Sequence, residues 1–126
     1  MSTVSKKLIV ALIGLTSIAA MSTAAFAHPK MTSSIPAENS MVAASPTEIR
    51  IVFNENLEPS LSGGDVLTKA GKKIETGKAV TDPTDKKQLV IPIVGQLASD
   101  TYTVDWHAVA ADSHRIKGKY TFTVKN

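Results

Sequence analysis

From residue 30 onward, short runs that repeat every second residue alternate with clusters of proline, glycine, asparagine and aspartate. The clearest run is Thr47–Phe53, where Ile49, Ile51 and Phe53 alternate with Glu48, Arg50 and Val52. That period of two puts three apolar side chains on one face and predicts a strand with one side buried. Two later runs repeat the pattern. Thr101–Val109 sets Tyr102, Val104, Trp106 and Ala108 on one face, and Lys119–Val124 sets Tyr120, Phe122 and Val124 opposite Thr121 and Thr123. Lys30–Ile35 reads as a first strand, ended by Pro36 and the polar turn Ala37–Ser40. Asn54-Glu55-Asn56 breaks the next strand, and Pro59 with Gly63-Gly64 marks a longer connection. Asp65–Thr68 and Lys72–Glu75 flank Lys69-Ala70-Gly71 as a short hairpin. Gly77–Lys87 is polar, with Asp82-Pro83 favouring a turn. Gln88–Val94 is apolar and β-branched, and Pro92, which has no amide hydrogen, predicts an edge or bulged strand there.

No segment beyond residue 27 holds a 3.6-residue apolar period over a useful length. About seven short strands at regular spacing predict an all-β domain, an antiparallel sandwich or Greek-key barrel, with no internal repeat and no second domain.

The first 27 residues follow a different rule. Lys6 and Lys7 supply a positive start, Leu8–Ala20 an apolar stretch, and Ala25-Phe26-Ala27 a small-x-small cleavage site. The apolar stretch falls well short of the roughly 20 residues that span a membrane. Residues 1–27 are therefore expected to be a cleaved signal peptide, leaving 28–126 as an exported domain that is not membrane-inserted. Lys6 and Lys7 leave with the signal, so the chain's 14 basic and 11 acidic residues become 12 and 11. The apparent basicity thus belongs to processing, and no nucleic-acid footprint remains. There is no cysteine, which excludes a disulfide, a thiolate metal site and a lipoprotein anchor.

Cleavage after Ala27 would make His28 the first residue, carrying a free α-amine and an imidazole within chelating reach. Pro29 has no amide proton to lose, so backbone-amide chelation stops there and further ligands must come from elsewhere in the fold. Asp112 and His114 are the candidates. They stand two apart in the loop between the two best strands, and extended backbone would point both side chains the same way. The same pair also suits an ordinary polar turn. Glu55 is a further candidate, as an axial ligand or as a carboxylate that orients a histidine, and it equally suits a solvated turn. His107 falls on the strand face opposite Trp106 and is expected to be structural.

These motifs are ordered along the chain: His28-Pro29-Lys30, Ser34-x-Pro36-Ala37, Phe53-x-Glu55-Asn56-Leu57, Ser62-Gly63, Gln88–Pro92, Thr101–Trp106 with Ala108-Val109, Asp112-x-His114, and Gly118-x-Tyr120-Thr121-Phe122. Together they resemble the CopC family of periplasmic copper-resistance proteins. The resemblance implies an immunoglobulin-like Greek-key β-barrel and a Cu(II) site built from His28, Asp112 and His114, with Glu55 close by. It also implies an inner-membrane copper transporter of the CopD type as partner. One departure matters: the region Asp65–Ala79, where better-known members carry a methionine-rich Cu(I) loop, has no methionine. A Cu(I) site needs soft thioethers, so none is expected. His107 stands where several relatives have arginine.

One amine, two imidazoles and a carboxylate suit Cu(II), which tops the divalent affinity order for such donors. The expected function is a copper carrier, buffer or donor that is not an enzyme, holding one Cu(II) per chain. The alternatives are an oxygenase of the histidine-brace type, similar to lytic polysaccharide monooxygenases, and an interaction module whose terminal histidine is incidental.

Overall fold

The structure, a computed structural model, describes residues 29–126; the expected signal segment and His28 lie outside the described residues. Eight strands fill the described chain: β1 Met31–Ile35, β2 Met41–Val42, β3 Glu48–Phe53, β4 Gly63–Leu67, β5 Val80–Asp82, β6 Asp85–Pro92, β7 Asp100–Val109 and β8 Arg115–Val124. A single 3-10 turn, Pro59–Leu61, is the only helical element among the described residues. The strands form two four-stranded sheets, ordered β1-β3-β6-β5 and β2-β8-β7-β4. Every neighbouring pair is antiparallel except β2 with β8. The predicted all-β sandwich is thus present, with eight strands where about seven were expected.

The period-two runs bury the faces they predict. Ile49, Ile51 and Phe53 of β3 and Leu89 and Ile91 of β6 meet Val66, Tyr102, Val104, Trp106, Tyr120, Phe122 and Val124 of the opposite sheet. Tyr102 and Phe122 stand directly across from one another on β7 and β8, and their rings stack at 5.6 Å. Phe53 meets Trp106 edge-on across the sandwich at 5.1 Å, the offset that aromatic quadrupoles favour. Without disulfides, this apolar layer carries the stability of the domain.

Four expectations about individual elements need correction. Gly63-Gly64 belongs to β4 and not to a connection: the two pair with His107 and Trp106 of β7, where β-carbons would press on His107 and on the backbone of Asp105 and Trp106. The hairpin around Lys69–Gly71 forms its turn, with the Thr68 N–H donating to Lys72 O, but its second arm makes only isolated bridges. Polar Gly77–Lys87 contains β5, which Asp82-Pro83 turns back onto β6. β6 is an interior strand, flanked by β3 and β5, and not an edge. Pro92 is tolerated because it is the last residue of β6, beyond the span that β5 pairs, and Gly77 lies against its ring.

Candidate metal centre

β7 and β8 pair without interruption from Asp100↔Val124 to Val109↔Arg115, and the hairpin they form ends in Ala110–His114. There the Ala110 N–H donates to His114 O at 2.9 Å and the Ser113 N–H to Ala110 O at 2.8 Å. Ser113 takes a left-handed backbone conformation, φ 75°. That reversal folds Asp112 back under His114. The His114 backbone N–H donates to Asp112 Oδ1 at 3.1 Å, and the His114 ring Nδ1 lies 2.6 Å from Asp112 Oδ2. The two candidate ligands therefore do converge, through the polar turn with its local Asp112 hydrogen bond and not through extended backbone. The His114 backbone N–H, followed by its ring, holds the Asp112 carboxyl below the usual carboxylate range. An ionised carboxylate on Nδ1 fixes the orientation of the imidazole, the arrangement typical of a metal-ligating histidine.

A second segment lies along this hairpin. The Ala111 N–H donates to Asn56 O at 2.9 Å, the Glu58 N–H to Val109 O at 2.8 Å, and Leu57 bridges Ala110. Leu57 is buried in the core, which anchors residues 56–58 beneath the turn. Glu55 immediately precedes this anchored stretch and is half-buried.

The third segment is the start of the described chain. The Lys30 N–H donates to Asn54 Oδ1 at 2.8 Å, and the Asn54 N–H returns a bond to Lys30 O at 3.1 Å. Pro29 is buried beside them in sequence. Asn54 thus ties down the chain two residues beyond His28, while Asn56 ties down the loop that carries Asp112 and His114.

Among the described residues no three His, Cys, Asp or Glu side chains gather into a metal-binding group. The described chain brings together Asp112 and His114; Glu55 does not join them in such a group, and His28 lies outside it. An imidazole nitrogen beside a carboxylate oxygen is a donor pair suited to a divalent ion such as Cu(II), and completing the site needs ligands from elsewhere. His107 is exposed on the strand face opposite Trp106, as its place in the strand predicts, with its ring packed over Gly63. Sequence reasoning missed the bonds through which Asn54, Asn56 and Leu57 support the site. In the sequence Asn54-Glu55-Asn56 reads as a strand breaker and Phe53-x-Glu55-Asn56-Leu57 as a family motif, and neither reading shows which backbone groups the asparagines hold.

The CopC domain family matches residues 31–125. The protein YobA of Escherichia coli K12 is 41% identical over 100 residues, covering 79% of this chain and 81% of that protein. Copper resistance protein C of Pseudomonas syringae pv. tomato is 42% identical over 110 residues, covering 83% and 86% respectively. Among solved structures, that of PcoC, a methionine-rich copper resistance protein from Escherichia coli, superposes with a TM-score of 0.70 at 39% identity, covering 79% of this chain and all of that one.

Proposed function

The chain belongs to the CopC family, and on that premise we propose that it is a periplasmic copper-binding protein holding one Cu(II) through a mature N-terminal His28. The observation that supports this reading is that residues 54–58 bond both the start of the described chain and the Ala110–His114 turn. Asn54 fixes Lys30, two residues after His28 in sequence, and Asn56, Leu57 and Glu58 fix the Ala110–His114 turn, so one short stretch of chain holds both segments that would carry ligands.

In this reading His28 supplies its amine and imidazole, and His114 its imidazole. With Nδ1 turned to Asp112, Nε2 is the nitrogen we assign to copper. Asp112 orients the neutral ring and raises its basicity, or supplies its carboxylate oxygen to the ion directly. Glu55 serves as an axial ligand or as a carboxylate beside the ligands. The donors are hard to borderline, which favours Cu(II). The stretch Asp65–Ala79 contains no methionine, in contrast to the methionine-rich PcoC, so no Cu(I) site is assigned to it. Amine and imidazole bind only when deprotonated, so copper loosens as pH falls. The role is that of a carrier, buffer or donor without catalysis, passing copper to an inner-membrane transporter of the CopD type.

The test is a competitive Cu(II) titration of the exported protein against a chelator of known affinity. One equivalent should bind, and His28→Ala and His114→Ala should each weaken it at least about 10-fold, the scale of losing a supporting metal interaction. A His28→Ala variant of undiminished affinity would sink the reading and favour an incidental terminus. Sustained peroxide production with ascorbate and oxygen would instead favour an oxygenase.

A further inference from the structure

The outer face of the β2-β8-β7-β4 sheet carries a groove of about 430 Å³ lined by Leu61, His107, Val109, Arg115, Ile116 and Lys117. It begins at the residue after His114. Val109 stands directly opposite Arg115, and His107 directly opposite Lys117, so one row of the sheet presents cations on β8 beside a buried valine.

A charged side chain on a sheet face gains stability from an opposite charge on the neighbouring strand. One rung further along, such a pair is present: Lys119 Nζ lies 3.7 Å from Asp105 Oδ2 on its directly opposed partner. At the groove it stops. Among the described residues neither Arg115 nor Lys117 makes an ion pair. The nearest carboxylate in sequence, Asp112, is committed to His114.

The apolar wall is equally deliberate in its placement. Leu61 is 48% exposed on the 3-10 turn Pro59–Leu61. The turn is held in place because Ser62 Oγ donates to Glu58 O at 2.8 Å and accepts from the Val109 N–H at 3.0 Å. A buried serine therefore bolts the turn to β7, and Leu61 projects outward instead of collapsing into the core. Gly63 makes room for the His107 ring, since a β-carbon there would lie 3.3 Å from its Cε1. The groove is thus walled by elements fixed independently of any occupant.

We propose that this groove docks an acidic peptide segment with an apolar side chain between its carboxylates, presented by the protein that exchanges copper with this one. The identification of that partner rests on the copper-carrier reading above. Charge complementarity selects the segment: carboxylates meet Arg115 and Lys117 while an aliphatic side chain covers the exposed Leu61. A concave site suits a side chain better than the flat surface of a bilayer. Docking here sets the partner next to His114.

The test uses the full exported protein, ¹⁵N-labelled, titrated with an N-acetylated, C-amidated peptide of alternating glutamate and leucine, and with a lysine–leucine peptide as control. The expected result is saturable shifts confined to Leu61, His107, Arg115 and Lys117, with the acidic peptide only. The double reversal Arg115→Glu/Lys117→Glu turns attraction into like-charge repulsion and should weaken binding about 10-fold, while its Cu(II) EPR spectrum stays that of the wild type. Absence of localised shifts, equal binding of the basic peptide, or shifts produced only by phosphatidylglycerol vesicles would overturn the proposal. Peptide binding in a protein that proves unable to hold Cu(II) would leave the groove standing and remove the copper reading, so the two fail separately.

Discussion

Replacing Asn54 with alanine removes the acceptor that holds the Lys30 N–H at 2.8 Å while leaving the backbone bond from Asn54 to Lys30 in place. One neutral hydrogen bond of this kind contributes about 0.5–1.5 kcal/mol net. If His28 is a ligand, the freed arm must be ordered again each time copper binds, and the same free energy is lost from affinity. At about 1.4 kcal/mol per tenfold, the Cu(II) dissociation constant should rise about 2- to 12-fold. Asn54→Asp keeps an oxygen acceptor at the same place and should lose far less. The assay is a chelator competition on the two variants and the wild type, with urea unfolding run in parallel. A loss of stability in Asn54→Ala with unchanged copper affinity would refute the reasoning, because the pinned arm would then have no part in the site.

Other consequences follow from packing and charge. A methyl group on Gly118 would meet Trp106 at 2.5 Å from Cζ2 and 2.8 Å from Cε2, so Gly118→Ala must push the indole off Phe53. Overpacking of this kind costs about 1–3 kcal/mol, and the chain's single tryptophan reports it; unchanged fluorescence and urea midpoint would contradict the close fit. Asp82 sits at about 2 instead of 3.8, chiefly through the Thr84 side chain and backbone, then Arg50. Its folded-state value is depressed, so its contribution to stability is full above about pH 4 and is lost as pH falls towards 2. Asp82→Asn should flatten that acid limb, and an identical limb in the variant would refute the assignment. Burial pushes the Tyr120 phenol up to about 12 from 10, so its contribution is full below pH 10 and is lost as pH rises through 12. Tyr120→Phe should flatten the alkaline limb, and a limb that matched the wild type would count against it.

Much of the sandwich was legible because its central strands bury one face and expose the other. β3, β7 and the second half of β8 carry that alternation openly. β2 and β5 do not: two and three residues long, they owe their strand character to pairing with β8 and β6, which no local pattern records. Pro92 misled for a related reason, since an interior strand tolerates proline past the end of its neighbour. At the site, the residue types at 112 and 114 were readable and their geometry was not. Their approach depends on a left-handed Ser113, an uncommon conformation for a non-glycine residue that sequence does not advertise. The supporting role of Asn54 and Leu57 depends on which loops meet at the end of the sandwich, and the groove at His107 depends on cross-strand register with Lys117. Both are tertiary facts.

The central claim is that a terminal histidine and the Asp112–His114 turn hold Cu(II) together. Its most direct test is the EPR spectrum of the exported protein with one equivalent of Cu(II), after intact mass has established which residue is first. The account predicts a mature chain beginning at His28 and a single type-2 signal with nitrogen hyperfine structure that is lost in the His28→Ala and His114→Ala variants. A chain beginning elsewhere, or a signal without nitrogen coupling that both variants retain, would contradict it.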